Sequence, residues 1–178
     1  MKFKDKTRTE KVLIVMHIVA WLAFVGFAID AGGILTSYIV SCINPAASKH
    51  MYKQLNLDSL MQFSFLHYTM QVLFLFLIPL IKAYIWYLVI KIASGFDIKN
   101  PFTSQVTMKL EKISFLLLGT WIVFLMNAEH SSWLLSETGK QYGSEITGDS
   151  IFMAGLVFII SQVFKRGVEI QSEHELTI

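Results

Sequence analysis

One stretch of 27 residues, positions 67–93, constrains the fold of this chain more than any other. The fourteen residues before Lys82 are uncharged, and eight more uncharged residues separate Lys82 from Lys91. A helix needs about 20 apolar residues to cross the hydrocarbon layer of a bilayer, which is ~30 Å thick. Lipid offers backbone N–H and C=O groups no partner, so a crossing segment must satisfy them internally. The stretch therefore predicts a transmembrane α-helix in contact with the lipid bilayer.

Three other blocks of the chain are similarly poor in charge. Only 16% of all residues are charged, against about 25% in typical soluble proteins. We therefore expect an all-α fold, a four-helix transmembrane bundle that forms a single integral membrane domain over residues 1–178. The first helix either continues through Gly32 and Gly33 or breaks there, and a short amphipathic helix is expected within residues 51–66. The four predicted membrane helices span about residues 12–31, 67–92, 104–128 and 150–170.

The lysines and arginines are concentrated in alternate connecting segments. Residues 1–11, 91–112 and 165–178 carry eleven of the fifteen Lys and Arg side chains, whereas the two intervening loops carry three. Cytoplasmic loops of membrane proteins are enriched in these residues. Both the N and C termini are therefore expected in the cytoplasm.

Several classes of function lack the sequence features that they require. The net charge is only +2 and no basic cluster is present, so direct binding of nucleic acid is not expected. No HExxH, CxxC, GxSxG, P-loop or GxGxxG motif occurs, so no enzyme activity, cofactor or metal site is predicted. His67 and His130 are expected at the outer ends of their helices, at depths where two imidazoles can share a metal or haem. No pair of histidines has metal-ligand spacing on one helix, however.

Lys82 lies in the interior of the second predicted helix, ~13 Å from Lys91 at 1.5 Å per residue. A lysine at the centre of a bilayer costs about 2.5–3.5 kcal/mol on insertion scales. Its side chain either snorkels toward the interface or lines a pocket for an anionic group. In the second case Pro79, expected to kink the helix, and His17 are its neighbours, and the chain is a small transporter or an immunity-type protein.

Two stretches resemble one known family. The first is KNPFT at residues 99–103, and the second is VFKRGVE at residues 163–169 with ELTI at residues 175–178. With the four-helix layout, these stretches resemble the bacterial membrane family called domain of unknown function 2975, over essentially the whole chain. The candidate motif residues are Asn100, Pro101, Phe102, Thr103, Lys165, Arg166, Gly167, Glu169, Leu176, Thr177 and Ile178.

The resemblance implies a multi-pass protein of the bacterial inner (cytoplasmic) membrane without an assigned reaction. It also implies a non-enzymatic, regulatory role in which the protein holds or releases a cytoplasmic helix-turn-helix transcription regulator. That role would fall to the motif residues, which the expected topology places on one side of the membrane. A structural interpretation is the more favoured alternative, with Gly167 allowing close packing and Thr103 or Ser104 capping the third membrane helix. Whether the protein is a homo-oligomer is left open.

Overall fold

The computed structural model describes residues 8–44, 57–95, 101–142 and 149–175. These residues form five α-helices and no strand, which confirms the all-α prediction for the described part of the chain. Four of the helices, all except α2, are long and apolar enough to cross a membrane, as in a multi-pass membrane protein. The five helices are α1 (Arg8–Ile43), α2 (Leu57–Phe63), α3 (Phe65–Ser94), α4 (Ser104–Thr138) and α5 (Asp149–Glu175).

The first helix, α1, continues through Gly32 and Gly33 without a break. Its 36 residues measure ~54 Å at 1.5 Å per residue, so α1 is longer than the hydrocarbon layer is thick. Adjacent glycines weaken a helix by ~1 kcal/mol each relative to alanine. The hydroxyls of Thr36 and Ser37 donate to the backbone carbonyls of Gly32 and Gly33, both at 2.8 Å. They add two side-chain hydrogen bonds to the helix next to the glycines.

Two helices show how local sequence shapes a membrane segment. Pro79 is buried inside α3, which is a single helix of 30 residues. Because proline has no N–H, the carbonyl of Leu75 has no helical donor at this turn. Helix α4 begins after Thr103, whose Oγ1 accepts from the backbone N–H of Val106 at 3.3 Å. Thr103 is therefore the N-cap, as predicted, and Gly139 with φ of 69° follows the last residue of the helix.

The chain divides into two compact units. Unit 1 comprises Met1–Val25, Ala83–Leu118 and Asp149–Ile178, and unit 2 comprises Gly26–Lys82 and Gly119–Gly148. The expectation of a single integral membrane domain stays a prediction.

Unit 2 has a hydrophobic core that includes the short helix α2. Its buried side chains are Leu57, Leu60, Tyr68, Val72, Leu134 and Tyr142. Helix α2 was expected as an amphipathic segment between the first two membrane helices, and its leucines pack into this core. The hydroxyl oxygens of Ser59 and Tyr142 are 2.9 Å apart, which joins α2 to the segment after α4.

Unit 1 contains a contact between α4 and α5. The hydroxyl of Ser114 donates to the backbone carbonyl of Ala154 at 3.1 Å, and both residues are buried. The rings of Phe115 and Phe158 meet edge to face next to this bond, with centroids 6.3 Å apart. Small residues let membrane helices approach closely enough for such bonds to form.

Candidate functional site

Two parts of the predicted motif meet in unit 1. The ring of Phe102, in the segment before α4, lies against Gly167 of α5. A Cβ atom built on Gly167 would lie 2.5 Å from Cδ1 of Phe102. Phe102 also contacts Phe164 edge-on, with ring centroids 5.3 Å apart. Only glycine fits position 167 without displacing the aromatic ring.

A groove of about 680 Å³ lies beside this contact. Val163 and Ile170 remain 61% and 45% exposed, so most of the exposed lining is apolar. Arg166 adds a guanidinium group, and its Nη1 is 2.8 Å from Oε2 of Glu169. Such a surface suits an apolar segment that also carries an acidic or polar group. The groove is lined by Pro101, Phe102, Val163, Arg166, Gly167, Ile170 and Gln171.

The structure places the predicted motif residues in three ways. Pro101, Phe102, Arg166 and Gly167 line the groove. Thr103 caps α4, Glu169 pairs with Arg166, and Lys165 is exposed on α5. The remaining four, Asn100, Leu176, Thr177 and Ile178, lie outside the described residues.

Three groove residues, Val163, Ile170 and Gln171, were not among the predicted site residues, although Val163 begins the VFKRGVE stretch. Arg166 and Gly167 follow Val163 by three and four positions on α5, and Ile170 and Gln171 follow it by seven and eight. Residues at these spacings share one face of a helix. Extending the motif by one helical turn would therefore have identified them.

Lys82 lies between two aromatic rings in unit 2. Its Nζ atom is 5.6 Å from the ring centroid of Phe27 and 5.7 Å from that of Phe124. Both distances lie within the ~6 Å range of cation–π attraction. The side chain is half-buried, and the two rings give its ammonium group electrostatic partners.

The other members of the predicted intramembrane site are divided between the two units. Pro79 precedes Lys82 by three residues on α3 and belongs to unit 2. His17 belongs to unit 1, where its Nε2 atom accepts a hydrogen bond from Nε1 of Trp21 at 3.1 Å. One ring nitrogen of His17 is therefore engaged by its own helix.

Polar side chains form a continuous chain between α3 and α4 in unit 2. Nδ1 of His67 is 3.1 Å from Nε2 of His130, and Nδ1 of His130 is 3.0 Å from Oε1 of Gln71. Nε2 of Gln71 donates to Oδ1 of Asn127 and to the backbone carbonyl of Tyr142, both at 2.8 Å. Gln71 and Asn127 are fully buried. The two histidines expected at similar depths are thus in direct contact.

One protein family matches the chain. The family model described as "Protein of unknown function (DUF2975)" matches residues 58–178. The chain belongs to this family. This confirms the resemblance drawn from the KNPFT stretch and the C-terminal motif, over residues 58–178 rather than over essentially the whole chain. No curated protein and no solved structure matches the chain. The matched residues include every residue that lines the groove of unit 1 and all the hydrogen-bonded polar residues between α3 and α4 of unit 2. Helix α1 precedes the matched range.

Proposed function

We propose that this DUF2975 member is a non-enzymatic protein of the bacterial inner membrane that binds a cytoplasmic helix-turn-helix transcription regulator. Binding would hold the regulator at the membrane and away from DNA. The observation that most supports this function is the groove beside Phe102 and Gly167. It combines the two stretches that carry the family resemblance in one accessible, largely apolar surface.

The charge distribution supports a cytoplasmic position for the groove. Unit 1 contains the groove and also most of the cationic side chains near the ends of the membrane helices. Cationic loops favour the cytoplasmic side, where a soluble regulator is available. The cationic residues of unit 1 that the structure describes near these ends are Lys11, Lys91, Lys109, Lys112, Lys165 and Arg166.

The position of the groove on α5 supports a soluble partner. Ile170 lies more than 20 residues after the first residue of α5, so about 30 Å of helix precedes it at 1.5 Å per residue. This length equals the hydrocarbon thickness, which would place Ile170 at the interface. A partner helix can insert apolar side chains into such a groove, with an acidic side chain facing Arg166.

Site-specific photo-crosslinking in native membranes tests this function. A photoreactive amino acid at Ile170 should yield an adduct that mass spectrometry identifies as a helix-turn-helix regulator. The matched control carries the same group at Ile159, which is 65% exposed on the same helix but lies deep in the apolar segment. The proposal fails if position 170 yields no such regulator, or if both positions yield it equally.

The alternative function, a small transporter or immunity-type protein with a pocket at Lys82 and Pro79, has less support. Phe27 and Phe124 already give the ammonium group of Lys82 electrostatic partners, so its position requires no bound ligand. The groove, by contrast, leaves apolar side chains exposed at the end of a membrane helix. We therefore favour the regulator-binding function.

A further inference from the structure

The hydrogen bonds of Gln71 determine which nitrogen of His130 carries a proton. The backbone carbonyl of Tyr142 can only accept, so the Gln71 atom 2.8 Å away must be the amide nitrogen. Its two hydrogens are used by this carbonyl and by Oδ1 of Asn127. The Gln71 oxygen therefore faces Nδ1 of His130, which must donate to it.

Neutral His130 consequently presents a lone pair at Nε2. That lone pair points toward Nδ1 of His67, 3.1 Å away on a different helix. Nδ1 of His67 donates a proton to it when both rings are neutral. Two imidazole nitrogens from α3 and α4 thus face each other at 3.1 Å, and one of the two rings is held in a fixed tautomer.

We propose that His67 and His130 form a binding site for a divalent transition metal ion such as Zn²⁺. Imidazole nitrogen suits Zn²⁺, Cu²⁺ and Ni²⁺. Two nitrogens each ~2.05 Å from one ion are about 2.9 Å apart at a right angle and about 3.3 Å apart at the tetrahedral angle. The observed separation of 3.1 Å lies between these values. The ion would lie beside the line between the two nitrogens, so both rings would rotate to turn their lone pairs toward it. The proton on Nδ1 of His67 would move to Nε2 of the same ring.

The surroundings of His130 match those of a metal ligand. A histidine that binds a metal almost always donates its other N–H to a carboxylate, a backbone carbonyl or water, which orients the ring. Here the acceptor is the side-chain carbonyl of Gln71, which is itself held by Asn127 and by the backbone of Tyr142. The ring of Trp133 packs against His67, with centroids 4.5 Å apart. The orienting contacts therefore exist before any ion binds.

The site has two protein ligands. Among the described residues, no group of three or more His, Cys, Asp or Glu side chains is placed to hold a metal. Water or another small ligand would fill the remaining positions. Structural zinc sites use four protein ligands, so this site binds more weakly than those and exchanges its ion. Both histidines are half-buried, so neither ring is fully enclosed by the protein.

Metal binding to the purified full-length chain, prepared in detergent without a histidine tag, tests the proposal. Competition with a chromophoric zinc chelator should reveal one Zn²⁺ site per chain. His67→Gln and His130→Gln should each weaken it by at least about tenfold, and Gln71→Met by about 10- to 100-fold, as expected for an orienting residue. His17→Gln, whose ring contacts Trp21, should leave the affinity unchanged.

A second measurement uses the unaltered protein, because the variants can fail to fold. Cu²⁺ bound at one equivalent should show coupling to two imidazole nitrogens by electron paramagnetic resonance. Coupling to fewer than two nitrogens overturns the proposal. So does a wild-type affinity for Zn²⁺ no higher than that of folded His67→Gln.

Discussion

The ring of Phe102 occupies the space that a side chain at Gly167 would need, 2.5 Å from the position of its Cβ. This contact joins the segment before α4 to α5, and both residues line the groove in unit 1. The two stretches that resemble the family thus depend on each other physically. The contact also supplies a direct test of the groove.

Gly167→Ala should destabilise the protein by about 1–3 kcal/mol, the usual cost of overpacking, because Phe102 must move. It should also reduce the yield of the regulator adduct at Ile170. Thermal unfolding in detergent and photo-crosslinking measure the two effects. Gly155→Ala on the same helix is the matched control, since a Cβ there meets nothing within 4 Å. Equal effects of the two substitutions would contradict the role assigned to Gly167.

The cytoplasmic position of the C-terminal end of α5 can be tested by cysteine labelling. In a Cys42→Ser background, Ser172→Cys should be protected from a membrane-impermeant maleimide in intact cells. It should react once the inner membrane is permeabilised. Ser136→Cys, near the end of α4, should react in intact cells, because its loop is poor in cationic residues. Both serines are exposed. Labelling of Ser172→Cys in intact cells would show that the C-terminal end of α5 lies outside the cytoplasm. It would thereby exclude a cytoplasmic partner for the groove.

Gln71→Leu should destabilise unit 2 by about 2–4 kcal/mol, because it leaves three buried or half-buried polar groups without the partner that Gln71 provides. These are Oδ1 of Asn127, the carbonyl of Tyr142 and Nδ1–H of His130. Unfolding of the purified protein by a denaturing detergent measures the loss. Gln162→Leu on α5 is the control. The side-chain hydrogen bond from Nε2 of Gln162 to Oγ of Ser161 is long, at 3.4 Å, so its loss should cost little. A loss at position 71 no greater than that at position 162 would show that the polar chain contributes little to stability.

Lys82→Met should leave insertion intact and change stability by less than about 1 kcal/mol. The substitution removes the cation–π contacts with Phe27 and Phe124, worth about 0.5–2 kcal/mol each. It also removes the cost of holding an ammonium group within a membrane helix. Membrane fractionation and detergent unfolding check the two outcomes. A loss of uptake or protection in the inserted Lys82→Met protein would instead support the transporter or immunity-type alternative.

The membrane helices and the N-cap of α4 could be predicted because each depends on residues that are close together in the sequence. An uncharged segment of about 20 residues can be recognised wherever it occurs in a sequence. Each membrane crossing needs the same length and the same internal hydrogen bonding of the backbone. Thr103 was predicted as a possible cap because an N-cap hydroxyl bonds a backbone N–H only three residues away. The family likewise followed from two short stretches.

The contacts that form both candidate sites were decided only by the tertiary structure. His67 and His130 are 63 positions apart, and Phe102 and Gly167 belong to different segments. In a soluble helix the apolar face indicates which side packs inward, but in lipid the outward face is apolar too. Packing between membrane helices depends on small residues and polar contacts rather than on hydrophobic burial. The amino-acid sequence alone therefore determined that four helices are long and apolar enough to cross a membrane, and the three-dimensional packing determined which of their side chains meet.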